Sequence, residues 1–148
     1  MPAAEELVID TSVTIAWCIK DEADPYADSV ARGLAQMRAF VPSIWPLEVS
    51  NALLMAERRK RSTESETAQW TRFLSALPLT IDSPPLSHVF AAILSLGRTH
   101  GLTAYDAAYL ELAMRRGLPM ATLDRDLKSA ASKLGVELYQ PPKKRKSP

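Results

Sequence analysis

Cysteine and histidine are nearly absent: the 148 residues hold one Cys, Cys18, and two His, His88 and His100. A lone cysteine excludes an internal disulfide and points to a reducing cytosol. Cys18 follows Trp17 in an apolar stretch with no histidine beside it, which reads as a small core residue rather than a nucleophile. No Cys/His set is large enough for structural zinc. His88 and His100 fall in one predicted helix and read as surface or helix-end residues rather than an acid/base pair. Glycine is also scarce, at five residues. The chain has no Gly-rich phosphate loop, no GKS or GKT, and no dinucleotide fingerprint. No apolar run is long enough to span a bilayer. The acidic start, MPAAEELVID, lacks the basic and apolar segments of a signal peptide, so the expected location is cytoplasmic, without membrane contact.

What is present is ordinary for a globular chain: 47% hydrophobic and 24% charged residues, at a length that suits one domain with a real core. The net charge is +1, and the tail PPKKRKSP contributes four positive charges (Lys143, Lys144, Arg145, Lys146), so the rest is net −3. Any polyanion binding must therefore use local patches. The expected organisation is a domain over 1–140 and a basic, disordered tail over 141–148, because the tail lacks apolar residues.

Strand and helix patterns alternate along the chain. Residues 6–10 read as a strand. A helix near 25–38 carries Val30, Leu34 and Met37 at helical spacing. AFVP is a short strand. WPLEVSNALLMAERRKR is a helix with Pro46 in its first turn and an apolar stripe of Leu47, Leu54 and Met55. STESETAQWTRFLSAL opens with capping residues and places Trp70, Phe73, Leu74 and Leu77 on one face. LTID is a strand, and LSHVFAAILSLGRTHG a helix ending at Gly101. In LTAYDAAYLELAMRRG, Thr103 caps a helix that ends at Gly117 with Arg115 and Arg116 in its last turn. LPMATLD is a strand, DRDLKSAASKLG a short helix and VELYQ a last strand. Strands separated by helices predict an α/β fold with a mainly parallel central sheet flanked by helices, and ligands bind such folds beyond the carboxyl ends of the strands.

The stretch LVIDTSVTIAW poses the functional question. An apolar strand, Leu7-Val8-Ile9, ends on Asp10, Thr11 and Ser12. Asp124 likewise ends MATLD, while Glu48 and Asp106 sit in the first turns of their helices. Taken singly, acids in a first turn complement the helix dipole and acids after strands start turns. Taken together, strand carboxyl ends and the amino ends of following helices share one edge of a doubly wound sheet. Four clustered carboxylates repel unless protons or cations intervene. An all-oxygen set favours Mg2+, with Mn2+ as a substitute. Such an ion activates water and neutralises charge building on phosphate oxygens.

VIDTSV, PLEVSNAL, GLTAYDAAYLELA and ATLDRDL, in this order, resemble the four motifs of PIN-domain ribonucleases, and most closely those of VapC-type toxins of bacterial toxin–antitoxin pairs. The resemblance spans about residues 6 to 140. It implies a PIN-like three-layer sandwich and a metal site at Asp10, Glu48, Asp106 and Asp124, with Asp10 and Asp106 most directly on Mg2+. No acid of the set is missing. Ser12 and Thr122 match positions whose hydroxyls face the site, and turn or strand-end hydrogen bonding explains them equally well. Asp126 fits an auxiliary acid or, more simply, a first-turn helix acid.

The activity implied is hydrolysis of RNA phosphodiesters by metal-activated water, leaving a 5′-phosphate and a 3′-hydroxyl. The partners implied are RNA, a cognate VapB-type antitoxin and a second copy in a homodimer. The antitoxin groove would lie on the helices carrying Leu53, Leu54, Trp70, Phe73 and Leu74. Arg58, Arg59 and Arg61, and Arg115 and Arg116, are candidates for RNA phosphates, although favourable placement at helix ends accounts for each of them. A housekeeping RNA-processing nuclease of the same fold is an alternative, separated by whether a small antitoxin gene lies next door. A non-catalytic interaction module is another, separated by indifference to Mg2+. A phosphatase fits less well, because DTS stands where an Asp-x-Asp nucleophile motif belongs.

Overall fold

In the computed structural model, residues 6–141 are described. The expected disorder of the basic tail concerns residues that, beyond 141, lie outside them. Four parallel strands, β1 (Glu6–Ile9), β2 (Arg38–Pro42), β3 (Leu79–Asp82) and β4 (Met120–Ala121), form a sheet in the order β3-β2-β1-β4. In β1, Leu7, Val8 and Ile9 are all buried, as are Ala39, Phe40 and Val41 in β2. Successive side chains of a strand point to opposite faces, so the sheet centre is covered on both sides. The α/β expectation, a parallel sheet flanked by helices, describes the fold observed.

The chain winds from β1 through β2 to β3 on one side, then returns to place β4 on the other side of β1. The crevice between β1 and β4, beyond their carboxyl ends, is therefore the switch point at which open α/β sheets bind ligands. Asp10 follows β1 and Asp124 lies shortly after β4.

The helices are α1 (Thr11–Cys18), α2 (Pro25–Gly33), α3 (Trp45–Arg58), α4 (Glu64–Ser75), α5 (Leu86–His88), α6 (Leu94–His100), α7 (Ala104–Arg116) and α8 (Arg125–Lys133). A π-helical stretch, Val89–Ile93, joins α5 to α6. Gly101 and Gly117 end α6 and α7 in the left-handed conformation, at φ 64° and 65°, which glycine adopts without strain. Thr63 caps α4 reciprocally with Glu66. Cys18 is buried, and burial pushes its thiol up to about 12, which fits an inert core residue.

Three expectations are corrected. VELYQ forms no strand: a single bridge joins Met120 to Leu138, because the two-residue β4 offers only Met120 as partner, through Met120 N–H to Glu137 O and Tyr139 N–H to Met120 O. The Leu47, Leu54, Met55 stripe is not the packed face of α3. Leu47 is 68% and Leu54 48% exposed, and the buried stripe is Trp45, Val49, Leu53 and Ala56. The helix predicted near 25–38 ends at Gly33, followed by a 3-10 turn, Leu34–Gln36. Leu53→Ala is expected to destabilise the protein by about 2–5 kcal/mol, whereas Leu47→Ala changes stability by no more than about 0.5 kcal/mol. Urea unfolding of the two variants checks the assignment, and equal losses would contradict it.

Candidate active site

Asp10 is the N-cap of α1 and is 4% exposed. Its backbone N–H donates to Ala121 O at 3.0 Å, which ties the end of β1 to β4. Its side chain is anchored through one oxygen. Oδ2 accepts from Ser12 Oγ at 2.6 Å, from Thr122 Oγ1 at 2.8 Å and from Ser12 N at 3.4 Å. Among the described residues no hydrogen bond reaches Oδ1. Ser12 Oγ in turn accepts from Leu123 N at 2.9 Å, and Thr122 Oγ1 from Asp124 N at 3.0 Å. Ser12 and Thr122 thus perform the structural hydrogen bonding that their turn and strand-end positions suggest, and they also aim the carboxylate.

The other acids follow the same local rules. Asp124 caps α8, with Oδ1 accepting from Leu127 N at 2.8 Å. Asp106 lies in the first turn of α7, its N–H donating to the capping Thr103 Oγ1 at 3.1 Å. Glu48 lies in the first turn of α3 and is partly buried. Its Oε1 sits 2.7 Å from Tyr109 Oη and 3.0 Å from Thr11 Oγ1. Among the described residues, Asp124 Oδ2 and Glu48 Oε2 take no hydrogen bond. Asp10, Glu48 and Asp124 therefore share one design, with one oxygen held by the protein and one left over.

Electrostatics show which acids are neighbours. Burial raises the Asp10 carboxyl above the usual carboxylate range; bonds from Ser12 and Thr122 oppose the rise, and the charge of Asp124 adds to it. Asp106 is raised by burial and by the charges of Asp10 and Asp124, lowered by Thr103, and raised further by Asp126. The charges of Asp10, Asp124 and Asp126 thus reach Asp106, and that of Asp124 reaches Asp10. Tyr109 lies between Glu48 and this group: its hydroxyl is raised by burial, by Glu48 and also by the charge of Asp10.

Among the described residues, no three His, Cys, Asp or Glu side chains converge closely enough to wrap a metal ion unaided. The donor chemistry still fits a hard cation. All donors are oxygen, their charges repel, and three of the acids each keep a free oxygen. Mg2+ holds several waters and needs only one or two carboxylates.

The candidate arginines are placed differently from one another. Arg61 is paired with Asp21 and Glu22. Arg115 forks onto Asp82 and also binds Glu111 at 2.7 Å. Arg116 binds Asp82 at 2.9 Å and stacks over Phe40 at 4.4 Å. Arg58 and Arg59 are exposed at the end of α3 and form no ion pair among the described residues. Two polar residues escaped the sequence reading. Thr11 had a signal, being adjacent to Asp10. Tyr109 had a weaker one, lying three residues beyond Asp106 on the same helix face.

A parallel sheet in this order, with acids placed around its switch point, is the arrangement of a PIN domain, and the chain belongs to the PIN-domain family, which it matches over residues 7–133, in its VapC-type branch. It is 30% identical to Ribonuclease VapC3 of Pyrobaculum aerophilum over 126 residues, 82% of this chain and 92% of that protein. The crystal structure of PAE2754 from Pyrobaculum aerophilum is similar at a TM-score of 0.63 and 25% identity, over 86% of this chain and 79% of that one. VapC20 of Mycobacterium tuberculosis, described as a sarcin–ricin loop cleaving toxin, shares the fold at a TM-score of 0.60 and 15% identity, over 84% of this chain and 94% of that one.

Proposed function

We propose that the protein is a divalent-metal-dependent endoribonuclease, the toxin of a VapBC-type pair, acting through a site of Asp10, Glu48, Asp106 and Asp124 within a single domain, residues 1–140. The observation that carries this reading is the placement of Asp10, at the end of β1, and Asp124, just after β4, at the switch point, with Asp106 close enough for the charges of both to raise it. Carboxylates gathered in this way cost stability, and a cation offsets the cost. The similarity to Ribonuclease VapC3 supports the same activity.

In this reading Asp10 and Asp106 hold Mg2+ or Mn2+ directly, while Glu48 and Asp124 complete the site directly or through water. A bound ion of this kind lowers the pKa of its water and neutralises charge developing on a phosphate oxygen. Ser12 and Thr122 hold Asp10 in place, and Asp126 adds negative charge at the rim. RNA phosphates meet Arg58 and Arg59 before Arg61, Arg115 or Arg116, whose charges are already matched by acids. The antitoxin covers the α3–α4 pair, where Leu54 and Phe73 are exposed although Leu53 and Leu74 are buried. A second copy covers the exposed stripe Leu86, Phe90 and Leu94 on the helix running from α5 to α6.

The test is cleavage of a structured RNA panel with Mg2+, with Mn2+ and with EDTA. Cutting is expected with either ion and is lost in EDTA. If calorimetry shows no Mg2+ binding and no RNA is cut under any condition, the interaction-module alternative replaces this reading.

A further inference from the structure

We propose that Tyr109 is a positioning residue for the site: supported by Thr11, it locks one oxygen of Glu48 so that the other is presented to the metal side. This rests on the nuclease reading above and adds to it a residue outside the four acids. Tyr109 lies on α7, Thr11 on α1 and Glu48 on α3, so the contact joins three helices that meet around the end of β1. The Tyr109 side chain is fully buried, at 0% exposure. Its hydroxyl lies 2.7 Å from Glu48 Oε1 and 2.5 Å from Thr11 Oγ1, and Thr11 Oγ1 lies 3.0 Å from the same Glu48 oxygen.

Counting protons orders this triangle. Two hydroxyls supply two protons for three oxygen–oxygen contacts, so one contact goes without, and placing the protons in the two shorter contacts leaves out the 3.0 Å approach of Thr11 to Glu48. Thr11 then donates to Tyr109, and Tyr109 donates to Glu48 Oε1. A hydroxyl that accepts one bond while donating another is polarised and donates more strongly. The result is a chain of fixed direction ending on one carboxylate oxygen. It repeats at Glu48 what Ser12 and Thr122 achieve at Asp10.

A buried tyrosine needs a partner for its hydroxyl in any case, so the test must separate positioning from packing. The full-length protein is compared with Tyr109→Phe, Thr11→Val, Glu48→Gln and the Tyr109→Phe/Glu48→Gln double variant. Mn2+ affinity is read by electron paramagnetic resonance, kcat and KM for RNA are read separately, and thermal unfolding checks folding. Removing a partner that orients a ligand lowers metal affinity or activity by about 10–100-fold. Tyr109→Phe is expected to weaken Mn2+ binding within that range and lower kcat more than it raises KM. Thr11→Val should act in the same direction by less. Combined with Glu48→Gln, which keeps an oxygen for Tyr109 but no longer offers a carboxylate to the metal, Tyr109→Phe should add no further loss, because the ligand it positions is gone.

Wild-type Mn2+ affinity in Tyr109→Phe, or an equal loss on the Glu48→Gln background, overturns the proposal and leaves the nuclease reading intact. Should Tyr109→Phe fail to fold, Thr11→Val decides: unchanged Mn2+ affinity there overturns it. If the wild-type protein itself binds no Mn2+ and Asp10→Asn behaves identically, the nuclease reading fails and takes this proposal with it.

Discussion

Asp10→Asn is expected to abolish RNA cleavage, by about 100-fold or more, and in the same protein to raise the melting temperature measured without metal. The loss follows from the place of Asp10 in the proposed site: merely orienting a metal ligand is worth about 10–100-fold, and removing the ligand's charge exceeds that. The gain follows from burial. Asp10 is 4% exposed, and both burial and the charge of Asp124 hold its carboxyl above the usual range. A carboxyl raised in the folded state favours folding when protonated, and that contribution is lost as pH climbs through its folded value. The ionised form of the side chain is therefore a burden on the fold. Asparagine removes the charge and keeps an oxygen to accept from Ser12 and Thr122. Melting temperatures in EDTA for wild type and variant, beside the cleavage assay, test both halves. A variant that loses activity and also melts lower would mean that Asp10 acts mainly as a structural cap. Such opposition between activity and stability is common at functional sites.

The second large effect concerns stability alone. Asp82→Asn is expected to cost about 2–3 kcal/mol at pH 7, or about 6–10 °C in melting temperature. Asp82 ends β3 and is buried, and it answers both Arg115 and Arg116 from the last turn of α7. Arg115 also binds Glu111, whose Oε1 meets His88 Nδ1 at 3.0 Å. Arg115 above all, with Arg116, holds the Asp82 carboxyl below the usual carboxylate range, against the opposing effect of burial. Glu111 is also lowered: burial is the largest influence on it and pushes upward, but bonds from Arg115 and His88 outweigh it. For carboxyls lowered in this way, the stabilisation is present above their unfolded values and is lost as pH falls through the folded ones. The difference between wild type and Asp82→Asn should therefore shrink as pH drops below about 4. A gap that stays constant down to acid pH would show that the ionised pairs contribute nothing.

How much of this could be read from the chain depends on the range of the interaction. The positions of Asp10, Glu48, Asp106 and Asp124 were legible because local signals place them at the end of a strand or in a first helical turn. The reciprocal Thr63 cap and the glycines that end α6 and α7 were legible for the same reason. Helix α1 was not. Thr11, Val13, Thr14, Ala16, Trp17 and Cys18 are all buried, so no polar face repeats at helical spacing. The stripe of α3 was misassigned because Leu47 and Leu54 are as apolar as Leu53, and only packing tells which side is covered. Tyr109 meets Glu48 across 61 positions, and Arg115 meets Asp82 across 33. Such partnerships have little local signature: only its spacing from Asp106 hinted at Tyr109, and nothing near Arg115 in sequence pointed to Asp82.

The bond between Thr122 and Asp10 joins residues 112 positions apart, and β4 docks onto β1 from late in the chain. During synthesis the ribosome delivers residues in order, at about 5–20 per second. Until residues 120–123 are made, β1 has no neighbour on its β4 side, Asp10 lacks Thr122, and no Leu123 N–H donates to Ser12 Oγ. The surroundings of Asp10 are completed only after β4, Thr122 and Leu123 have been made, so a chain truncated before them lacks the bonds that hold its carboxylate. The proposed centre thereby carries a delay written into its own strand order.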